Sequence, residues 1–264
     1  MRAALALVAL LSLLFAVACG SGGGAKTATP ASNACGAPVT ASAGSCGGAG
    51  GATTPPASTT AGAATTPVSD LLVGLPQDGQ TLGNASAPLK VALYQNFLCP
   101  HCRDFALEVM PQMLIDYVAT GKVAIVFHDA ALGAGAADIA HEAARCAADQ
   151  GKFWPAYFAL YQNFADDPAS YTKARMESVL APTGVDAAKL ASCLDSDQHQ
   201  AEVDAATSEF EHLADNNAAY ANALATVQAG NGPAIPLLDI AGTYLTAPED
   251  YATVKAAIDA KLGP

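Results

Sequence analysis

Apolar residues recur with the periods of regular secondary structure only after Asp70. Residues 89–94 (LKVALY) and 122–128 (KVAIVFH) are rich in β-forming side chains, and each segment predicts a strand. Between them, apolar side chains recur every four residues and predict a helix; they are Phe105, Val109, Met113 and Tyr117. Pro111 predicts a kink in this helix and Gly121 its C-cap, so that residues 89–128 form a β-α-β unit.

The pattern then becomes almost wholly helical over residues 133–228, where Asp186 is placed to N-cap one helix. After this segment, residues 237–240 predict a strand that turns into a second short strand. Pro248 is expected to start a last helix that ends near Leu262. We therefore divide this part of the chain into residues 70–132, a helical segment at 133–228 and a final segment at 229–264.

The first quarter of the chain lacks a pattern that could build a core. Residues 1–18 combine a basic start with a short apolar run that ends in small residues, which is typical of a signal peptide. Residues 20–67 contain one charged residue, Lys26, and no aromatic side chain. Such a composition cannot offset the entropy of ordering, so we expect a disordered Gly/Ala/Ser/Thr/Pro linker over residues 19–69.

The leader ends at a cysteine within residues 16–19 (AVAC), which resembles a bacterial lipobox. The Gly/Ser tract that follows favours lipidation of Cys19, so we expect a lipoprotein anchored outside the cytoplasm to the cell membrane. The small residues Ala16 and Ala18 also fit an ordinary signal peptidase, which would release a secreted or periplasmic protein.

The 264-residue chain carries a formal net charge of -12 and no Lys/Arg cluster, which argues against nucleic acid as a partner. The segment from residue 69 onward is long enough to bury a core. No cofactor is expected, and a monomer is predicted.

The chemically distinctive motif is Cys99-Pro100-His101-Cys102, placed where the first predicted strand meets its helix. A helix N-terminus stabilises a thiolate, which lowers the pKa of the first cysteine, and His101 adds a donor beside it. We expect Cys99 to be the sulfur attacked by a substrate thiolate and Cys102 to be the resolving partner. A zinc site would need two further ligands at suitable spacing, so no metal is predicted; a purely structural disulfide is the other alternative.

Four segments around this motif resemble the DsbA-like thioredoxin proteins of bacterial envelopes; they are residues 82–88 (LGNASAP), 96–103 (NFLCPHCR), 143–147 (AARCA) and 150–154 (QGKFW). The resemblance covers roughly residues 80–262. It implies an α/β thioredoxin fold with an inserted α-helical domain. It also implies oxidase-type exchange with unfolded or newly exported proteins, and reoxidation of the dithiol by a quinone-linked membrane partner. The family commonly has an acidic residue near the position of Asn96.

Within the fold that the resemblance implies, Cys146 and Cys193 lie on apolar faces of helices in the insertion. We expect a structural disulfide between them; two buried free thiols are the alternative. Cys35 and Cys46 either close a small loop in the linker or are incidental thiols.

The resemblance also points to a proline loop. Pro236 stands six residues before Gly242, the spacing at which the family places its loop proline. We therefore expect a cis Ile235–Pro236 bond that faces the motif, with the backbone of Ile235 available to an extended substrate; Pro233 is the alternative.

These features together predict a thiol–disulfide oxidoreductase that introduces disulfides into exported proteins. A tethered reductase or isomerase would share the same motif and differ in redox poise. A lipoprotein that only presents a binding surface is a third interpretation, and it would not exchange disulfides with a model dithiol.

Overall fold

The computed structural model describes residues 67–133, 135–226, 234–248 and 250–263. The predicted signal peptide, Cys19 and the predicted linker up to residue 66 lie outside the described residues, as do Cys35, Cys46 and Pro233.

A single six-stranded mixed sheet forms the centre of the described chain, in the order β1-β2-β4-β3-β5-β6. The strands are β1 Gln77–Asp78, β2 Thr81–Leu82, β3 Leu89–Gln95, β4 Val123–Asp129, β5 Leu237–Ile240 and β6 Thr243–Thr246. β3 and β4 are parallel, and every other neighbouring pair is antiparallel. The predicted strand segments are confirmed, whereas β1 and β2 were not predicted from the sequence.

The helix that follows β3, here called the motif helix (residues 100–118), alternates between two helical forms. Its segments are α2 Pro100–Asp104, a π-helical turn Phe105–Val109, α3 Met110–Met113 and a second π-helical turn Leu114–Val118. Pro111 is the second residue of α3, just after the first π turn, and its missing N–H interrupts the regular hydrogen-bond pattern there. Gly121 stands just beyond the helix with φ +72°, a conformation that glycine adopts without steric cost.

The remaining helices fall into three groups. The first described residues form a single turn, α1 Val68–Leu71. Between β4 and β5 lie α4 Ala136–Ala148, α5 Phe153–Gln162, α6 Lys173–Leu180, α7 Ala187–Asp195, α8 Gln200–Glu211, α9 Leu213–Asn216 and α10 Ala218–Thr226, with 3-10 turns at Pro168–Ser170 and Ala181–Thr183. The last helix is α11 Tyr251–Leu262.

Two predicted helix starts have different outcomes. Asp186 caps α7, since its carboxylate accepts a hydrogen bond from the backbone N–H of Lys189 at 3.0 Å. The prediction that Pro248 starts the last helix is wrong. Asp250 is the N-cap instead, because its carboxylate accepts from the N–H of Thr253 at 2.8 Å, and α11 begins at Tyr251.

The core lies on both faces of the central strands. Val91, Leu93, Val123 and Ile125 are at most 1% exposed, as expected for parallel strands covered by helices on both sides. Aromatic side chains of α5, among them Trp154, Tyr157 and Tyr161, fill the space between the sheet and the helical insertion. The fold is therefore a thioredoxin-like sheet interrupted by a helical insertion, as expected.

Among the described residues, no helix combines the length and the apolar character needed to cross a lipid bilayer.

Candidate active site

The motif lies where the carboxyl end of β3 meets the motif helix. Cys99 is the N-cap of α2 in an extended conformation, and Pro100 occupies the first helical turn, where its missing N–H leaves no intrahelical bond unmade. Cys99 and Cys102 are free cysteines, the first partly exposed and the second buried. This is the geometry of a dithiol in which one sulfur faces solvent and the other faces the core.

The surroundings of Cys99 lower the pKa of its thiol to about 6. The largest cause is a hydrogen bond from the thiol of Cys102, and the backbone N–H groups of Cys102 and His101 add to it. Burial acts in the opposite direction, and the charge of His101 is a smaller favourable contribution. Cys99 is therefore mostly thiolate, the reactive form, at neutral pH.

Cys102 has the opposite character. Burial raises the pKa of its thiol well above the ordinary value, and the neighbouring Cys99 raises it further. Two side chains on β3 and α5 hold the backbone beneath it: Gln95 donates to the carbonyl of Cys102 at 3.3 Å, and Tyr157 donates to Gln95 at 2.6 Å. The pair thus divides into a nucleophilic sulfur and a protonated donor.

Strand pairing brings the proline loop to the motif. Because Tyr94 of β3 lies opposite Leu237 of β5, the residues that follow β3 meet those that precede β5. The Ile235–Pro236 bond is cis, as predicted for this proline. The Sγ of Cys99 lies 4.0 Å from the carbonyl oxygen of Ile235. Among the described residues, this oxygen is the only hydrogen-bond partner of the sulfur outside the motif.

A cleft of about 340 Å³ opens beside this contact. Its walls come from the motif helix, the proline loop and the end of β6; the lining residues are His101, Asp104, Phe105, Glu108, Pro236, Ala247 and Pro248. The carbonyl of Pro236 is occupied by the N–H of Ala247 at 2.7 Å, whereas the carbonyl of Ile235 faces Cys99. Cys99 and Ile235 do not line the cleft themselves, but His101 of the motif and Pro236 beside Ile235 do, so the cleft adjoins the contact between the reactive sulfur and the Ile235 carbonyl.

Asn96, which stands where the family commonly has an acidic residue, has a structural role here. Its amide donates to the carbonyl of Leu132 at 2.9 Å and its side-chain oxygen accepts from the N–H of Leu98 at 2.9 Å. Asn96 therefore ties the loop before Cys99 to the loop after β4.

A buried charged group that sequence reasoning missed lies behind this loop. The carboxylate of Asp129 is fully buried and contacts His141 at 2.7 Å and Arg145 at 2.6 Å. Burial opposes ionisation, but the interactions with His141 first and with Arg145 second leave the pKa of Asp129 below its ordinary value. The signal of this group in the sequence is weak, because the aspartate and the histidine stand twelve residues apart on different elements.

The insertion contains the predicted disulfide. Cys146 of α4 and Cys193 of α7 are bonded, and both side chains are buried. A carboxylate oxygen of Asp149 and a ring nitrogen of His199 lie within 4.8 Å of the Cys193 sulfur and of each other. Because that sulfur is committed to the disulfide, it offers no thiolate for a metal ion.

Comparisons with known proteins agree with this geometry. The family model described as thioredoxin matches residues 77–260. A probable disulfide bond formation protein D from Bacillus cereus is 34% identical over 95 residues, which is 33% of this chain and 42% of the relative, so the chain matches less than half the length of that curated protein.

Two solved structures share the fold. The oxidised BdbD of Bacillus subtilis superposes with a TM-score of 0.57 at 18% identity, covering 70% of this chain and 93% of the other. The DsbA of Chlamydia trachomatis gives a TM-score of 0.54 at 14% identity, covering 69% and 90%. The chain belongs to the thioredoxin family, and its fold is the DsbA-like form in which a helical domain interrupts the sheet.

Proposed function

We propose that this protein is a thiol–disulfide oxidoreductase that introduces disulfides into exported proteins through Cys99 and Cys102. The main support for this proposal is the difference in exposure and in pKa between the two cysteines. Cys99 is partly exposed with a pKa of about 6, and Cys102 is buried with a raised pKa. A structural disulfide or a binding module has no need for one activated and one protected thiol.

The exchange begins with the oxidised Cys99–Cys102 pair. A substrate thiolate attacks the Sγ of Cys99, which forms a mixed disulfide while Cys102 leaves with the electron pair and takes up a proton. A second substrate thiolate then attacks the substrate sulfur and releases Cys99 as a thiolate. The substrate loses two electrons and two protons; the pair gains both electrons and one proton, and the other proton goes to solvent.

The placement of Ile235 and Pro236 supports a role for both in substrate binding. The Ile235 carbonyl would accept a hydrogen bond from the backbone of an extended substrate once Cys99 is engaged in the mixed disulfide. Pro236 forms one wall of the cleft and donates no hydrogen bond, so it presents an apolar surface to many sequences. Such contacts suit unfolded or newly exported chains, because these chains differ in sequence but all present the same polypeptide backbone.

The low Cys99 pKa favours oxidation as the direction of the reaction. A stabilised thiolate stabilises the reduced protein, and a pair whose reduced form is stabilised is an oxidant. The thiolate stabilises the reduced protein fully at a pH above the pKa of an unperturbed cysteine. This stabilisation is lost as the pH falls through about 6, because the pKa of Cys99 in the folded protein is lower than that of an unperturbed cysteine. Continued turnover needs an electron acceptor, for which we propose a quinone-linked membrane protein.

Equilibration with glutathione at pH 7 tests the direction. We expect a reduction potential well above that of thioredoxin, about −270 mV, together with a Cys99 absorbance titration at 240 nm centred near 6. A potential as reducing as that of thioredoxin would make the protein a reductase. Shuffling of a scrambled disulfide substrate without net oxidation would indicate an isomerase, and no exchange at all would leave only the binding interpretation.

We also propose that the protein works outside the cytoplasm, held at the membrane by a lipid on Cys19. The lipobox-like residues 16–19 and the Gly/Ser tract after them support this location. Mass spectrometry of the mature N-terminus is expected to find a diacylglycerol-bearing Cys19 in the membrane fraction. An unmodified mature N-terminus in the soluble fraction would instead mean a secreted or periplasmic protein.

A further inference from the structure

We propose that His141 is a positioning residue for disulfide exchange: its ring, oriented by Asp129, accepts a hydrogen bond from the backbone N–H of Phe97 and so holds the loop that carries Cys99. The inference rests on the proposed function and adds a residue outside the motif to it. His141 belongs to α4, 44 residues away from Phe97 in the sequence.

The loop between β3 and the motif helix, residues 96–99, is short and is held from several directions. The N–H of Cys99 donates to the carbonyl of Asn96 at 3.0 Å, and Tyr161 donates to the same carbonyl at 3.2 Å. Tyr171 donates to the carbonyl of Phe97 at 3.4 Å. Within the described part of the chain, the N–H of Phe97 has one partner, the Nε2 of His141 at 3.4 Å, and both residues are fully buried.

The direction of this bond sets the form of the imidazole. A backbone N–H can only donate, so Nε2 must present its lone pair to Phe97. The proton of the neutral ring then sits on Nδ1, which lies 2.7 Å from the Oδ1 of Asp129. Protonation of both nitrogens would place two donors against each other at Phe97, so the contact requires the neutral ring.

Asp129 can orient the ring because its own position is secured. Its second oxygen, Oδ2, accepts from Arg145 at 2.6 and 2.9 Å and from Gln80 at 3.0 Å. Arg145 in turn contacts Glu202 at 2.6 Å, so its charge is shared between two carboxylates. Every polar atom of the Asp129 carboxylate is satisfied, which is what a buried charge requires.

The rings add a second restraint. The imidazole of His141 packs against the Phe97 ring with centroids 4.7 Å apart, and Phe97 also packs on Phe127 of β4 at 5.6 Å. The N–H and the side chain of Phe97 are therefore both held by residues behind the loop. Cys99 follows two residues later, and its sulfur depends on this placement to reach the N–H groups of His101 and Cys102.

Nitrogen NMR of the wild-type protein tests the contact without any substitution. With uniform ¹⁵N labelling, we expect the His141 Nε2 to be unprotonated and to show a through-bond coupling to the amide nitrogen of Phe97. The same tautomer is expected in the oxidised and the reduced protein. A proton on Nε2 at neutral pH would overturn the inference.

Substitutions then separate positioning from simple stability. His141→Phe keeps a planar ring but has no hydrogen-bond acceptor. In this variant we expect the Cys99 titration to move above 6. We also expect exchange with a model disulfide at pH 6 to slow by roughly tenfold, since small misplacements of a reacting group reduce rates strongly. His141→Gln restores an acceptor near the Nε2 position and should recover most of the rate. Tyr117→Phe is the matched control, because it removes a partly buried hydrogen bond to Asp259 at the far end of the motif helix.

The outcomes distinguish the two proposals. If His141→Phe lowers the melting temperature but leaves the Cys99 titration and the exchange rate at the wild-type values, His141 only packs and the inference is wrong. If His141→Phe does not fold, the NMR tautomer and the rate of His141→Gln decide between the same alternatives. If the wild-type protein itself fails to exchange disulfides, the proposed function fails, whereas the NMR result still reports on the His141–Phe97 contact.

Discussion

Cys99→Ser is expected to abolish disulfide exchange, with a loss of roughly a thousandfold or more, as is usual when a nucleophile is removed. Serine keeps the shape of the side chain but remains protonated at neutral pH, so it neither attacks a disulfide nor forms the mixed disulfide. Cys102→Ser should behave differently, because Cys99 remains reactive and only the resolving step is lost. We expect this variant to accumulate a stable mixed disulfide with a model cysteine peptide.

Intact-mass analysis after incubation with a peptide disulfide measures both results. Cys99→Ser should show the mass of the free protein and Cys102→Ser the mass of the protein plus one peptide. The double substitution of Cys146 and Cys193 by alanine is the control for cysteines outside the motif, since both lie in the insertion, and it should not accumulate a trapped peptide. Trapping through Cys102 in the Cys99→Ser variant would reverse the roles of the two sulfurs.

The same variants test the origin of the low pKa. The sequence pointed to the helix N-terminus and to His101, whereas the structure places the hydrogen bond from the Cys102 thiol first among the causes. Cys102→Ala should therefore raise the Cys99 pKa more than His101→Ala does, with both titrations followed at 240 nm. A larger shift in His101→Ala than in Cys102→Ala would instead make His101 the main cause.

Local spacing explains which parts of this protein were predictable. The β-α-β unit around the motif, the capping of α7 by Asp186 and the helical character of the segment after β4 depend on periodicity within single elements. The two-residue strands β1 and β2 are too short to show an alternation of polar and apolar positions, so no pattern marked them. The disulfide was located through the apolar helix faces that carry both cysteines, within the insertion that the resemblance implies, whereas the proline was located through the resemblance alone.

The group behind the motif was not predictable in the same way. Its members come from the end of β4 and from α4, and they meet because β3 and β4 run parallel, with Asp129 opposite Gln95 at the same edge of the sheet. In the sequence, His141 is one of several histidines that stand apart from any ligand spacing. Only the register of the strands and the packing of α4 show that this histidine, unlike the others, reaches the loop before Cys99.

The Cys146–Cys193 disulfide is expected to be the largest single contributor to the stability of the helical insertion. It joins α4 to α7 across 47 residues, so reduction frees a long loop in the unfolded chain. In the chain-entropy model this closure is worth roughly 4 kcal/mol of unfolding free energy. Replacement of both cysteines by alanine also removes two buried sulfurs, which adds a small loss of packing in the same direction.

Chemical denaturation of the double alanine variant, compared with the wild-type protein under oxidising conditions, measures this loss. Cys99→Ala is the matched control, because it removes a cysteine from the motif and leaves the disulfide intact; its unfolding free energy should stay much closer to that of the wild type. Non-reducing peptide mapping should find the fragments of α4 and α7 cross-linked in the native protein. Alkylation of both cysteines before reduction would mean that the disulfide does not form. A double variant that unfolds at the wild-type midpoint would mean that the disulfide does not stabilise the insertion.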